Sequence, residues 1–192
     1  MTMKKSLIFF ILFVVVILVY VQWGLEDIPG EEMYGIMGKS KATAQMMYRY
    51  IRHYNTQINS LRLRYLIECY LWESAFEGVN GDVAFTQMCH ETNFLKFDGN
   101  IDITQNNFNS LGTMVYDMYW ACFFTMKEGV RAHVQHLKAY GSKKPLKNPC
   151  VDPRFDVVKK GSVKLVRNLN SKWEGLEYGK SIEKKIDTLL SM

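Results

Sequence analysis

An unbroken apolar run near the N-terminus, LIFFILFVVVILVYV at residues 7–21, constrains this chain more than any other feature. Because nothing polar interrupts it, a buried core helix of a globular domain is a poor explanation. Its length lies between that of a signal peptide's apolar region and the roughly 20 residues that span a bilayer. Lys4 and Lys5 precede it, and Trp23 follows as an interfacial anchor without a small-residue cleavage site. Residues 1–23 are therefore predicted to form an uncleaved, single-pass signal anchor that leaves the rest of the chain outside the cytoplasm.

The remaining residues suit one domain. The chain has 192 residues, of which 48% are hydrophobic and 14% aromatic, enough for the core of one domain but hardly of two. Residues 24–39 are predicted to be a juxtamembrane linker, and residues 40–192 the domain. The net charge of +5 is mild and no nucleic-acid-binding motif is present, so we expect no nucleic-acid partner. The four cysteines stand singly, which argues against a zinc or redox pair and leaves disulfides open.

Helical periodicity dominates this domain and predicts a mainly α fold. Apolar residues share one face in SKATAQMMYRYIRHY, in LRLRYLIECYLWESAFEG and in EGVRAHVQHLKAY. Gly78 is the expected C-cap of the second of these helices. Three of its glutamates are predicted to face solvent, Glu68, Glu73 and Glu77, although Glu77 is close enough to the next turn to contact it. The segment at residues 83–91 is apolar nearly all round and is therefore predicted to be a central helix.

Glu91 needs an explanation, because it places an acid at the end of that central helix in GDVAFTQMCHETNFLKF. A carboxylate there faces the negative end of the helix dipole in a poorly solvated place, and both effects are expected to raise its pKa. A carboxylic acid that is still protonated near neutral pH is what general-acid cleavage of a glycosidic bond requires. The alternative, a glutamate that only caps or pairs within the fold, stays open on these grounds.

The wider pattern resembles a known family. It consists, in order, of IMGKSKATAQMM, EGVNGDVAFTQMCHETNFLKF, QNNFNSLG, EGVRAHVQHLKAY and NPCVDPRFDVVKKGS followed by Trp173, within roughly residues 36–186. This set resembles the glucosaminidase domains of glycoside hydrolase family 73, bacterial endo-β-N-acetylglucosaminidases that cut peptidoglycan. The resemblance implies a mainly α (α+β), lysozyme-like fold with a helical lobe, a short second lobe and a cleft between them. Together with the signal anchor, it implies a bacterial cell-membrane protein with an extracytoplasmic catalytic domain.

The resemblance also implies site residues. Glu91 corresponds to the family's catalytic acid, in a motif with a glutamine four residues before it and a threonine directly after it. The implied substrate-binding residues are Gln87, Thr92, Asn106, Asn107 and Phe108. Aromatic residues with polar tips stack on sugar faces, although at such spacing they also pack within cores. This chemistry adds three candidates for sugar binding: Tyr116, Tyr119 and Trp120.

The second catalytic group is less well defined. Many members of the family carry it on a β-hairpin of the smaller lobe, and here the one acid between Gly112 and Lys127 is Asp117. Asp117 would act as a base at roughly 6.5–9.5 Å from Glu91, or as a nucleophile at about 5–5.5 Å. The substrate's own 2-acetamido oxygen could replace it, as in substrate-assisted hydrolases. Glu128 precedes a helix and is predicted to support its first turn instead.

A pair of histidines and one departure from the family pattern complete the candidate features. His133 and His136 lie three residues apart on a predicted helix, but no pattern supplies a third ligand, so no metal or other cofactor is expected. Phe155 stands where the family often has a tyrosine after Asp-Pro-x, and any hydrogen bond from that hydroxyl is lost.

The sequence thus predicts a membrane-anchored peptidoglycan hydrolase that cleaves the β-1,4 bond after N-acetylglucosamine. Glu91 would be the general acid, with Asp117 or the substrate's acetamido group assisting. The expected partners are glycan strands and, through the N-terminal helix, the membrane. Two alternatives stay open. One is a lytic transglycosylase of the same fold, in which one acid suffices because the 6-hydroxyl of muramic acid replaces water. The other is a non-catalytic glycan-binding scaffold of a wall-spanning assembly.

Overall fold

The computed structural model describes residues 34–97, 101–112, 120–171 and 177–192, all within one unit, Met33–Met192. Secondary structure in these ranges consists of five α-helices, three 3₁₀ helices and isolated β-bridges, with no β-strand. The prediction of a mainly α fold is confirmed. No helix within these ranges has the length and apolar character needed to cross a membrane. The predicted signal anchor, residues 1–23, lies outside the described residues, as do Tyr116, Asp117 and Tyr119.

The first two helices, α1 (Ala44–Tyr54) and α2 (Ser60–Glu77), pack against each other. Asn59 begins α2, because its Oδ1 accepts two backbone N–H groups of the first turn at 3.0 Å each. Gly78 ends α2 with a φ of 77°, in the left-handed region that favours glycine. The predicted C-cap is therefore confirmed.

The third helix, α3 (Gly81–Glu91), lies at the centre of the fold. Its N-cap is Asn80, whose Oδ1 accepts the N–H of Asp82 at 3.0 Å. Residues 81–89 are all buried, and the helix packs against α2 and both later helices. A helix that is buried on every side can be apolar all round, so the prediction of a central helix is confirmed.

Two further helices enclose α3. The fourth, α4 (Met126–Gly141), packs along α2, and the fifth, α5 (Tyr178–Leu190), packs against α3 and the 3₁₀ helix Val166–Ser171. Gly179 allows α5 and this 3₁₀ helix to pack closely, since a Cβ at Gly179 would lie 2.5 Å from the Cα of Arg167. The first turn of α5 is thereby brought against the rest of the fold.

Two glutamates of α2 depart from the sequence prediction. Glu73 and Glu77 are buried, so the prediction that they face solvent is wrong. Arg131 binds both oxygens of Glu73 at 3.1 Å, and Lys138 donates to Glu77 at 2.6 Å. Both cations come from α4, and they neutralise carboxylates that could not otherwise be buried. Glu68 is exposed, as predicted.

Residues 34–39, which the sequence analysis places in the linker, pack within this unit. Ile36 is completely buried, and its N–H donates to the carbonyl of Lys164 at 3.0 Å. Isolated antiparallel bridges join the same segment to Leu165 and Val79. The segment thus connects the start of α3 to the chain between α4 and α5.

Candidate functional site

Glu91 is the last residue of α3, where that helix becomes partly exposed. Its Oε1 accepts a hydrogen bond of 2.5 Å from the hydroxyl of Tyr178, the first residue of α5. Tyr178 is buried, and the ring of His90 lies edge-on to it with centroids 5.1 Å apart. One oxygen of the predicted acid is therefore held by a buried phenol, while the side chain as a whole is half-buried.

Three more side chains continue from Tyr178 into the core: Gln87, His133 and Tyr70. Gln87 Nε2 donates to the hydroxyl of Tyr178 at 2.9 Å, and Gln87 Oε1 lies 2.9 Å from Nε2 of His133. The other ring nitrogen of His133, Nδ1, lies 2.9 Å from the hydroxyl of Tyr70. All three residues are fully buried. Because the members come from α2, α3, α4 and α5, the chain of hydrogen bonds forms only when these helices pack.

Burial sets the protonation states along this chain. Desolvation, with a smaller effect of His136, lowers the pKa of His133 to about 3, so the imidazole is neutral near pH 7. Desolvation also raises the pKa of Tyr70 well above its ordinary value, so its hydroxyl keeps its proton. Gln87 Oε1 can only accept, which places the proton of His133 on Nε2 and leaves Nδ1 to accept from Tyr70.

The backbone directly after Glu91 forms an unusual turn. Four residues there have positive φ values of 44°, 56°, 64° and 51°, in a region that residues other than glycine rarely adopt: Asn93, Phe94, Leu95 and Phe97. Thr92 Oγ1 accepts the N–H of Leu95 at 2.9 Å, and the ring of Phe94 stacks on Tyr54 at 3.9 Å. Strained backbone of this kind clusters at functional sites, where surrounding contacts hold it in place.

Most of the predicted substrate-binding residues have partners inside the protein. Gln87 and Thr92 are buried in the contacts described above. Asn107 is also buried and donates to two backbone carbonyl groups at 2.8 and 3.0 Å, and Phe108 is a core residue. Asn106 is half-buried and donates to a backbone carbonyl at 3.1 Å. These contacts give all five a structural explanation, and their part in substrate binding stays a prediction.

A groove of about 400 Å³ is lined in part by residues 109–112, the end of the QNNFNSLG segment. Its polar and aromatic lining includes Asn109, Trp120, His136, Tyr140 and Arg154. Trp120 is 39% exposed, and it is the one predicted sugar-stacking residue within the described ranges. The groove therefore combines an accessible aromatic ring with phenol and guanidinium groups, which suit the binding of sugars.

The other candidate residues have partners or lie outside the described ranges. Glu128 Oε2 accepts the N–H of Phe124 at 3.0 Å, so its predicted role in the first turn of α4 is confirmed. His136 Nδ1 lies 2.8 Å from a carboxylate oxygen of Asp152. The part of the chain that the structure describes includes all four cysteines, none of them in a disulfide. Asp117 lies outside this part, so its distance from Glu91 stays a prediction.

Tyr178 is the site residue that sequence reasoning missed. It is 87 residues from Glu91, and no local pattern marks it as a partner of an acid. The sequence indicates His133 only as a potential metal ligand, because its spacing from His136 is the visible signal. Its true neighbours, Gln87 and Tyr70, lie on other helices.

Comparison with known proteins identifies one relative. A protein of Borreliella burgdorferi described as uncharacterized is 35% identical to this chain over 156 residues, which cover 81% of this chain and 76% of that protein. The chain belongs to the same family as this protein. No model of a known protein family matches the chain, and no solved structure matches it. The resemblance to glycoside hydrolase family 73 therefore rests on the quoted motifs.

Proposed function

We propose that this protein is a membrane-anchored peptidoglycan hydrolase that cleaves the β-1,4 bond after N-acetylglucosamine, with Glu91 as its general acid. The observation that carries the proposal is the environment of Glu91. A half-buried carboxyl group ends a buried helix, one of its oxygens is held by a buried phenol, and a strained turn follows it.

The chemistry follows from that environment. Glu91 gives its proton to the leaving oxygen while the glycosidic bond breaks, and an oxocarbenium-like state develops on the sugar. The carboxylate that remains on Glu91 keeps its hydrogen bond from Tyr178, which now stabilises a charge. Either a water activated by Asp117 or the substrate's 2-acetamido oxygen then attacks the anomeric carbon.

The groove supports a glycan as the substrate. Its wall includes Asn109, which belongs to the QNNFNSLG segment that the family resemblance links to sugar binding, and Trp120, a predicted sugar-stacking residue. On α4, His136 in the groove lies three residues after His133 in the buried chain, so the two share one side of that helix. The helix α4 thus contributes both to the groove, through His136, and to the buried chain of hydrogen bonds behind Glu91, through His133.

The experiment that tests this proposal compares the release of soluble fragments from purified peptidoglycan by the full chain and by two variants. Glu91→Gln keeps the shape and the acceptor oxygen for Tyr178 but has no proton to give, so release is expected to fall by about 10²- to 10⁴-fold. Glu68→Gln changes an exposed glutamate of α2 and is expected to match the wild type. Equal release by the wild type and Glu91→Gln would contradict the proposal.

A further inference from the structure

We propose that Tyr178 is the positioning residue of Glu91, and that the buried chain behind it commits the Tyr178 proton to Oε1, so that Glu91 delivers its own proton from Oε2. This inference rests on the proposed function, since it concerns the acid of that reaction. It assigns a role to four residues that the sequence motifs leave without one or place at the substrate: Tyr70, Gln87, His133 and Tyr178.

The direction in which each hydrogen bond of this series donates is set by its innermost member, Tyr70. Tyr70 is fully buried, and in the described part of the fold its hydroxyl has one hydrogen-bond partner, Nδ1 of His133. Tyr70 must therefore donate, which leaves the proton of His133 on Nε2 and points it at Gln87 Oε1. The Gln87 amide then donates through Nε2 to Tyr178, whose own proton is left for Glu91.

The opposite direction is unfavourable for the same reason. If Gln87 accepted from Tyr178, its amide would turn over and His133 would carry its proton on Nδ1. That proton would face Tyr70, and the Tyr70 hydroxyl would become a buried donor without an acceptor among the described residues. While Glu91 is protonated, each link is a neutral hydrogen bond, so the hydrogen bonds fix a geometry without adding a charge to the core.

The last link affects the reaction through the charge on Glu91. When Glu91 gives up its proton, negative charge develops on the carboxylate and the bond from Tyr178 becomes a charge-assisted hydrogen bond. An interaction that is stronger in the transition state than in the bound substrate raises kcat rather than lowering KM. The titratable groups described near this link include His90, whose ring lies edge-on to Tyr178, and neutral His133, which contacts Gln87.

The test is Tyr178→Phe in the full chain. This change keeps the ring and removes the hydroxyl, and it is expected to lower kcat by about 10- to 100-fold with KM changed by less than about twofold. The basic limb of the pH–rate profile is expected to move to higher pH, because the ionised form of Glu91 loses a donor. A variant with unchanged kcat and an unchanged profile would overturn the proposal.

Tyr34→Phe is the matched control. The buried Tyr34 also donates to a carboxylate, Oδ1 of Asp187 at 2.6 Å, and Asp187 lies in the last turns of α5. Its loss removes the same kind of hydrogen bond away from Glu91, so it is expected to change stability but not the pH–rate profile. A shift of the profile as large as that of Tyr178→Phe would show that the effect is general, and this would overturn the specific role of Tyr178.

A measurement that does not depend on enzymatic activity tests this proposal separately from the proposed function. In protein with ¹³C-labelled glutamate carboxyl groups, Glu91 is identified by the signal that Glu91→Gln removes, and its pKa is measured by NMR titration. Tyr178→Phe is expected to raise that pKa, because the carboxylate loses its donor. Tyr70→Phe is expected to raise it by less, because it removes the hydroxyl that sets the donor direction of the buried hydrogen bonds. An unchanged pKa in Tyr178→Phe would overturn the inference even if the wild type cleaves peptidoglycan. A raised pKa in a protein without glycosidase activity would support the link between Tyr178 and Glu91 and contradict only the proposed function.

Discussion

Replacing Lys138 with methionine tests how the fold tolerates buried charge. Lys138 is 3% exposed, Glu77 is 2% exposed, and Nζ lies 2.6 Å from Glu77 Oε2. Methionine keeps an unbranched side chain in place but leaves the carboxylate without its cation. Loss of one partner of a buried ion pair destabilises proteins by about 3–5 kcal/mol. We expect the lower end, about 3 kcal/mol, because the backbone N–H groups of Lys147 and Asn148 still donate to Glu77.

The loss of unfolding free energy in Lys138→Met should become smaller as the pH falls. In the wild type, burial raises the pKa of Glu77, but the hydrogen bonds from Lys138 and from the N–H groups of Asn148 and Lys147 outweigh this and lower it. The contribution of the pair to stability is therefore present above the unfolded pKa of Glu77 and is lost as the pH falls through the lower, folded value. In Lys138→Met the burial effect is no longer opposed by a cation, so Glu77 is protonated at higher pH and the deficit shrinks on acidification.

The assay is urea unfolding of the full chain, followed by far-ultraviolet circular dichroism, at pH 7 and at about pH 4. Lys180→Met is the matched control, because Lys180 pairs with Glu177 at the surface and both side chains are mostly exposed. That control is expected to stay within about 0.5 kcal/mol of the wild type. A free energy of unfolding for Lys138→Met within about 1 kcal/mol of the wild type at pH 7 would refute the reasoning.

Three further predictions follow from single positions. Gly129→Ala is expected to destabilise the fold by about 2 kcal/mol or more in urea unfolding, because a Cβ there would lie 1.8 Å from the backbone oxygen of Asn106; no loss of stability would contradict this close contact. His133 is neutral in the fold but takes up a proton in the unfolded chain, so its folded pKa of about 3 predicts that wild-type stability falls on acidification below about pH 6.5, by up to about 1.4 kcal/mol per pH unit. In His133→Gln that slope should be shallower, and equal slopes would show that His133 is charged in the fold. Trp120→Ala is expected to raise KM for glycan strands about tenfold in a fragment-release assay with little change in stability, whereas an unchanged KM would remove the groove from the substrate path.

Local signals made much of the helical framework predictable. The C-cap at Gly78 and the apolar surface of α3 can each be predicted from a few neighbouring residues. A left-handed cap and an all-buried helix each need a particular residue type at a particular place. The burial of Glu73 and Glu77 could not be predicted in this way. Their cationic partners lie 58 and 61 residues along the chain, and periodicity within one helix says nothing about what a neighbouring helix brings to it.

The same distinction between local sequence signals and contacts between helices applies to the candidate site. The sequence indicates Glu91 as a candidate because an acid at the end of an apolar helix is a local anomaly. Tyr178 was missed because its importance lies in a contact between α3 and α5 that only the packed fold creates. Gln87 is predicted from its motif to bind substrate, and this stays a prediction; its contacts with Tyr178 and His133 lie on other helices and could not be predicted from the sequence.

The most direct test of the central claim is mass analysis of the fragments that the full chain releases from purified peptidoglycan, with Glu91→Gln alongside. The account predicts fragments with reducing-end N-acetylglucosamine from the wild type and none from the variant. Anhydro ends that depend on Glu91 would instead identify a lytic transglycosylase, in which the muramic acid 6-hydroxyl replaces water. The same fragments from both proteins, or no fragments from a folded wild type that binds the glycan, would contradict the claim that Glu91 is the acid of a glycoside hydrolase.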